Sequence, residues 1–531
     1  MAKQQPINEY PIGTVISDGE TPTFETVRIK LKANQDIKPG TLLKMIVSRN
    51  EETTLIARVR SGLENDPTKS TENIAVRDAM ALPMPNLPEA YNPSAYRLIE
   101  ADLIEEFYID ETEQAEGEDK APRKKIRSPQ NLPNSGSDVF IANPDEVVQA
   151  LGTLDNISHG IFLGESPNGI QTNIVLKKES IQRHFFIGGT TGSGKSYATG
   201  VLAEELIKHN IPIIFIDTQD EYSSFVKCYG GKVVEPGETF SIRISSLTES
   251  EFIEILPRAM QDSSLQLDMA LFIFNELKKQ ILDGSRDKFT VDDMVAGEIL
   301  EKAKNLATRN PTDTAQIVSN KLRMFKHKKI FGEGREAGDW QSLMYPCVAI
   351  NCKKLMSRDL QLVTTGILRE LQDLRLQGVI PPYAAVIDEA HLFVPQGESS
   401  PCKQIIREGV RIGRHHGICM VLMTQSPVDI DKSIIRQCNT RMIFALEPDQ
   451  LDAIKGVKAD ATDEMLRMLP KMPQGTCLLS GTYESIKHTI PLKIRRRNTE
   501  NSEGGKTPDI FLEMSQTWIP KIDQLGKHKE K

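Results

Sequence analysis

No stretch of this chain approaches the roughly 18 consecutive apolar residues of a membrane span, and its first residues, MAKQQPINEY, carry no apolar targeting core. A membrane helix is therefore not expected, and a cytoplasmic setting is. Cysteine is scarce: there are seven in 531 residues, none before Cys228, and no two form a Cys-x-x-Cys pair. That usage argues against a disulfide framework or a structural zinc site and leaves reduced core thiols. Cys347 and Cys352 close the two ends of CVAINC, which reads as a buried strand. Positive charge is not in excess. With 65 Lys and Arg against 73 Asp and Glu the net charge is −8, which excludes a protein that coats nucleic acid with its whole surface but leaves room for a basic groove or a ring pore. The sequence has no internal repeat.

What is present is enough chain for two to four domains. From Ile12 to about Glu106 short alternating runs (GTVISD, FETVRIKL, TLLKMIV, TTLIARV, YRLIEADLIEEFYI) are broken by Asp-Gly, Pro-Gly and Asn-Pro, the pattern of a small antiparallel sheet or barrel. Asp110 to Asp138 is an acidic block followed by PRKKIRSPQNLPNSGSD, read as a mobile loop or linker. Its cluster of Arg123, Lys124, Lys125 and Arg127 either touches a phosphate backbone or forms a solvated charged loop. After Val139 apolar strands alternate with helical patterns, which predicts an α/β core around a parallel sheet. Strands are expected at Phe185 to Gly188, Ile211 to Asp217, Cys347 to Cys352, Ala384 to Asp388, Ile418 to Thr424 and Met442 to Leu446. The resulting division is a barrel over 1–170 with the polar loop at 110–138, a core over 171–247 and 339–500, a helical insertion over 248–338 and a polar extension over 501–531.

Gly189, Gly194, Lys195 and Ser196 fit G-x-x-x-x-G-K-[ST], between an apolar strand and the helical YATGVLAEELIKHN. The small residues Gly189, Thr190, Thr191, Gly192, Ser193 and Gly194 let backbone N–H groups turn inward around an anion, and the helix start adds partial positive charge. Lys195 then reaches the β- and γ-phosphates, Ser196 coordinates Mg²⁺, and Tyr197 extends the nucleotide contact. In YAAVIDEAHLF, Asp388 and Glu389 end an apolar strand. Asp388 is expected in the Mg²⁺ shell and Glu389 as the group that polarises the attacking water; the alternative is that both cap the next helix. Strand ends also present Thr424 and Gln425, with Gln425 as a sensor of the γ-phosphate, and Asp217 and Glu221, for which site duty and helix capping stand equal. REGVRIGRHHG offers Arg407, Arg411 and Arg414. Arg414 is the first choice for an arginine acting on a neighbouring subunit's γ-phosphate and Arg411 the second, against a reading as surface salt-bridge residues. His415 and His416 have no metal-spaced partners.

In that order RHFFIGGTTGSGKS, IIFIDTQDEY, AAVIDEAH, REGVRIGRHHG and TQSPVDIDKSIIRQCNTRMIF resemble the HerA branch of the FtsK and HerA superfamily of DNA-pumping ATPases, over about Val139 to Arg497. The resemblance implies a RecA-like ATPase core, a homo-hexameric ring with ATP between subunits, and double-stranded DNA in the pore. It also implies a NurA-like nuclease for DNA-end resection and repair, or an anti-phage effector, docking on the barrel. Arg183 matches a family arginine that assists the phosphates in cis, and Arg414 its trans arginine; His415 and His416 depart from the cation and aromatic usual after the latter. Two other readings are an ATP-gated ring scaffold that organises an effector and a conjugation or secretion motor.

Overall fold

Val27, Ile29 and Leu31 are buried on one side of their strand while Thr26, Arg28 and Lys30 are more open on the other, and that alternation, repeated through the amino-terminal region, closes a barrel. The computed structural model describes residues 10–17, 21–32, 35–47, 53–65, 96–109, 124–306, 310–327, 330–331, 340–398, 400–456, 459–482 and 484–499. In it β1 (Gly13–Ile16), β2 (Thr26–Leu31), β3 (Leu42–Ile46), β4 (Thr54–Asn65), β5 (Tyr96–Ile109), β6 (Lys124–Arg127) and β7 (Asp138–Ile141) run in the order β2–β1–β7–β3–β4–β5–β6, and β5 also pairs with β2, closing the ring.

The second sheet has eleven strands: β8 (Ile161–Glu165), β9 (Asn173–Leu176), β10 (Phe185–Gly188), β11 (Ile213–Asp217), β12 (Lys232–Val234), β13 (Cys347–Asn351), β14 (Tyr383–Ile387), β15 (Ile418–Thr424), β16 (Thr440–Ile443), β17 (Thr476–Gly481) and β18 (Ile490–Ile494). Their order is β12–β13–β11–β14–β15–β10–β16–β17–β18–β8–β9. From β12 to β16 neighbours are parallel; from β16 onward they are antiparallel. Strands such as FFIG, IIFID, YAAVI and ICMVLMT are buried at every position, as parallel strands covered on both faces must be. Helices Glu249–Ile255, Ser264–Leu282 and Pro311–His327 lie between β12 and β13.

Three sequence expectations are corrected. The strand expected at Met442 to Leu446 is Thr440–Ile443, because Arg441 sits inside it. Its buried guanidinium donates from Nε to Ile435 O at 3.4 Å and from Nη2 to Arg436 O at 3.3 Å, so a cation occupies a strand position that hydropathy rejects. The stretch from 110 to 138 is not all loop: residues 110–123, Arg123 among them, lie outside the described residues, but Lys124–Arg127 is a strand. Arg127 is committed to the fully buried Glu106, at 2.9 Å from Nε and 2.5 Å from Nη2 to Oε1, and Gln130 and Asn131 N–H groups bond the other carboxylate oxygen at 2.8 and 2.9 Å. The hairpin β8–β9 straddles residue 170 and joins the large sheet through β18, so the barrel's pairing does not extend to that residue.

The barrel is fastened to the large sheet at the loop between β17 and β18. Arg58 Nη1 lies 3.0 Å from Asp460 Oδ2 and donates to Thr489 O at 2.9 Å. Lys487 Nζ stands 3.1 Å from Glu105 Oε1. His488 has a carboxylate at each ring nitrogen, Asp460 Oδ2 at 3.0 Å and Glu105 Oε1 at 3.2 Å. Burial alone would lower its pKa, but the hydrogen bonds and charges of Asp460 and Glu105 outweigh it and raise the pKa. A raised folded-state pKa contributes stability fully present below the ordinary imidazole value of about 6.5 and lost as pH rises through the higher folded value. The melting temperature of the wild-type chain is expected to fall as pH is raised from about 6.5, and His488→Gln to remove most of that fall; identical pH profiles would take His488 out of this interface's energetics.

Candidate active site

Strand β10 ends at Gly188, and after six intervening residues the helix Lys195–Lys208 begins. The loop between them is held from both sides. Thr190 N–H donates to Ala445 O at 2.8 Å, beyond the end of β16, and Gly475 N–H donates to Ser193 O at 3.0 Å, just before β17. Two glycines are demanded by this packing: a Cβ on Gly189 would meet Phe444 Cβ at 2.6 Å, and Gly194 combines φ +113° with a Cβ position 3.1 Å from Gly475 N. Lys195 is 7 % exposed and donates from Nζ to Thr190 O at 2.8 Å. Burial lowers its pKa, while the charges of Glu389, Asp388 and Glu221 act against the shift. Lys195 thus sits near enough to three carboxylates for their charges to act on it.

Asp388 and Glu389 follow β14. Asp388 accepts from Thr218 Oγ1 at 2.7 Å and from Glu389 N–H at 3.0 Å. Burial pushes its pKa up to about 7 and the neighbouring charges of Glu389, Glu221 and Asp217 add to the rise, against the Thr218 hydrogen bond. Glu389 is buried and adopts φ +50°, a left-handed backbone rare outside glycine and a form of strain found at functional sites. Its Oε1 accepts from Gln219 Nε2 at 3.2 Å and from the Gln425 amide, and its Oε2 from Gln425 N–H at 3.3 Å. Gln425 Oε1 in turn accepts from Thr191 Oγ1. One amide therefore joins the phosphate loop to Glu389. Neither acid caps a regular helix: Glu389 makes no side-chain cap bond to the short turn Ala390–Leu392.

Asp217 and Glu221 separate. Asp217 accepts the N–H groups of Gln219, Glu221 and Tyr222 at 3.3, 3.0 and 2.9 Å, so it ties down the turn ahead of the helix Ser223–Cys228 rather than capping that helix. Glu221 is near enough for its charge to act on both Lys195 and Asp388. Sequence reasoning missed Thr218, Gln219 and His391, whose Nδ1 is 3.4 Å from Glu389 Oε2 and 3.1 Å from Thr424 Oγ1. The signal for the first two was available, since TQ directly follows β11 where the carboxyl ends converge.

The arginines lie elsewhere. Arg183 precedes β10, a strand of four residues spanning about 13 Å at ~3.3 Å per residue, so it stands at the edge opposite the phosphate loop. The cis role expected for Arg183 is corrected on that ground. Arg414, in the last turn of helix Pro401–His416 just ahead of β15, shares the same edge. Both point to one carboxylate: Arg183 Nη2 is ion-paired with Glu484 Oε2, and Arg414 Nη2 lies 3.7 Å from Glu484 Oε1. Arg411 is exposed one turn earlier, and Arg407 is committed to Asp431 Oδ2 at 2.6 Å.

Oxygen donors from Ser196, Asp388 and Glu389 are of the kind a hard divalent cation takes, and the Asp388 carboxyl is pushed up chiefly by burial, with the nearby charges of Glu389, Glu221 and Asp217 adding to the rise. Among the described residues no group of three or more His, Cys, Asp or Glu could hold a metal alone, so water and phosphate oxygens would complete the shell of a bound cation.

Residues 161–371 match the family described as the central domain of helicase HerA, and residues 382–492 match an AAA-like domain. The DNA double-strand break repair helicase HerA of Sulfurisphaera tokodaii is 21% identical over 422 residues, covering 76% of this chain and 81% of that protein. A probable helicase of Methanocaldococcus jannaschii is 21% identical over 535 residues, covering 92% of this chain and 96% of its own. Among solved structures, VirB4 of Thermoanaerobacter pseudethanolicus superposes with a TM-score of 0.51 at 14% identity, over 64% of this chain and 98% of that one, a likeness of fold.

Replacing Glu389 by glutamine is expected to lower kcat about a hundredfold or more while nucleotide still binds, because a positioned general base contributes on that scale. Gln425→Ala is expected to give a smaller loss, also in kcat. Steady-state hydrolysis alongside direct nucleotide binding checks both, and a loss confined to binding would reassign Glu389 to the ground state.

Proposed function

We propose that this chain, which matches the HerA helicase central domain over residues 161–371 and an AAA-like domain over 382–492, is a P-loop ATPase that hydrolyses ATP to translocate along or unwind duplex DNA in DNA repair. The observation that carries this reading is the division of the chemistry between two edges of one sheet. Loop, acids and Gln425 occupy the carboxyl edge, and Arg183 and Arg414 the amino edge. A single subunit has no arginine of that pair near its own phosphate loop. A second copy, placed with its amino edge against the first copy's carboxyl edge, supplies one.

Repeated head to tail, that contact closes a ring, and the ring proposed is a hexamer with DNA in the pore. A few phosphate-directed cations per subunit, multiplied around a ring, are compatible with a chain charge of −8. Ser196 and Asp388 would hold Mg²⁺, which when bound neutralises charge on the phosphates. Lys195 and the loop N–H groups orient the phosphates, Glu389 takes the proton from a water that Gln425 helps to place, and the neighbour's Arg414 offsets charge on the γ-phosphate. The barrel is the proposed docking face for a NurA-like nuclease or a defence effector.

Lys195→Ala is expected to abolish DNA-stimulated ATP hydrolysis; unchanged turnover would sink the site. Mixing Arg414→Ala with Glu389→Gln subunits, each inactive or weak alone, is expected to restore hydrolysis, because some interfaces then pair an intact loop with an intact arginine. No recovery would remove the trans role.

A further inference from the structure

Just past β18 the chain turns back as a short strap over the helix that carries Lys195. Arg495 fixes it, with Nη1 2.8 Å from Glu204 Oε2 and Nη2 3.1 Å from Glu205 Oε1, and both carboxylates are almost fully buried. Asn498 and Thr499 N–H groups donate to Glu204 Oε1 at 2.9 and 3.2 Å. Between these anchors the Arg497 N–H donates to the Tyr197 hydroxyl at 2.7 Å, and its guanidinium lies over the Tyr197 ring, 5.2 Å from the centroid. Gly200 makes room for it: a Cβ there would meet Arg497 Nη1 at 2.8 Å. Tyr197 nevertheless remains 39% exposed. A buried ion cluster thus holds an aromatic ring against a cation on one side while leaving ring surface open.

We propose that Tyr197 and Arg497 form the platform on which the base of the nucleotide stacks. The inference rests on the phosphate loop reading and follows from the direction in which a nucleotide must lie there. Helix residues two apart are rotated by about 200°, so Tyr197 and Lys195 fall on opposite sides of the axis over which the phosphates sit. Lys195 is on the side of Asp388, Glu389 and Glu221, whose charges act on it. A triphosphate whose reacting end points to those acids sends its sugar and base the other way, toward Tyr197. Stacking on an aromatic ring is available to any base because every base has a π-face, and an arginine behind the ring adds planar, cationic surface. The ligand class is therefore a nucleoside triphosphate, ATP in the proposed reaction, with the phosphates recognised more strictly than the identity of the base.

The test uses the full chain with saturating duplex DNA, ATP as substrate and inorganic tripolyphosphate, which has no base, as competitor. Tyr197→Ala and Arg497→Ala are each expected to raise KM for ATP about tenfold, the scale of one stacked base, with the loss carried in KM rather than kcat. The inhibition constant of tripolyphosphate is expected to stay at its wild-type value in both variants, which also reports that the loop is intact. An unchanged KM, or an equal weakening of tripolyphosphate, overturns the platform. Should tripolyphosphate fail to inhibit the wild-type chain, or Lys195→Ala keep its turnover, the phosphate loop reading fails first and the platform falls with it.

Discussion

Seven neighbouring strands that run the same way give the large sheet two chemically different edges, and the arrangement of this molecule depends on that polarity. Every loop leaving a carboxyl end opens on one edge, so Gly189 after β10, Asp217 in β11, Asp388 after β14 and Gln425 after β15 gather there without being near in sequence. Every residue that leads into a strand lies at the other edge, which is where Arg183 and Arg414 are fixed. A side chain cannot reach across the strand between them. In the proposed ring the arginine offered to a γ-phosphate as charge builds in the transition state would therefore come from another copy, and the polarity that separates the two halves within one subunit would present them to each other between subunits.

The carboxyl edge is electrostatically incomplete by itself. Asp217 is satisfied by three backbone N–H groups, but Asp388 has one hydroxyl and one N–H and is pushed up to about 7, chiefly by burial. Lys195 turns its ammonium onto a carbonyl of its own loop. Groups held this way suit a charged ligand: in the proposed site a bound Mg²⁺ would favour the ionised form of Asp388, and phosphate would give the lysine a better acceptor than Thr190 O. The amino edge is rigid by a different device. His184 Nε2 donates to Val410 O at 2.7 Å and Nδ1 accepts from Met420 N–H at 3.1 Å, and burial lowers its pKa to about 4. A neutral imidazole therefore ties β10 to the arginine helix and to β15, and Gly413 leaves the space it fills.

The phosphate loop, the two acids and Gln425 were legible because each sits at the end of an apolar run, and the run itself says which end of the sheet it reaches. The strands at Phe185–Gly188 and Ile418–Thr424 were readable to the residue for the same reason. Illegible features share a different cause: a polar residue whose partner is far away in sequence. Arg441 looked like a strand end because Ile435 and Arg436 carbonyls were not in view, and Arg127 looked like a free cation because Glu106 gave no sign of being buried. Arg183 was assigned to its own phosphates by resemblance to a family arginine; four extended residues put it on the far side. The strap over Tyr197 was hidden likewise, since Arg495 and Glu204 are almost 300 positions apart.

The loop between β17 and β18 adds the last connection. Glu484, near its start, pairs with Arg183 and Arg414, while Lys487, His488 and Thr489, at its end, bond to Glu105 and Arg58 of the barrel. Because β17 is antiparallel to β16, this loop must lie at the amino edge, and the barrel is consequently fastened to the edge that carries the arginines. The opposite turn, at Gly475, packs on the phosphate loop. One hairpin thus touches both halves of the chemistry, one at each end. In the proposed ring, whatever grips the barrel grips the half-site that each subunit offers its neighbour, and the strand pair β17–β18 links that grip to the subunit's own phosphate loop through the hydrogen bond from Gly475 N–H to Ser193 O.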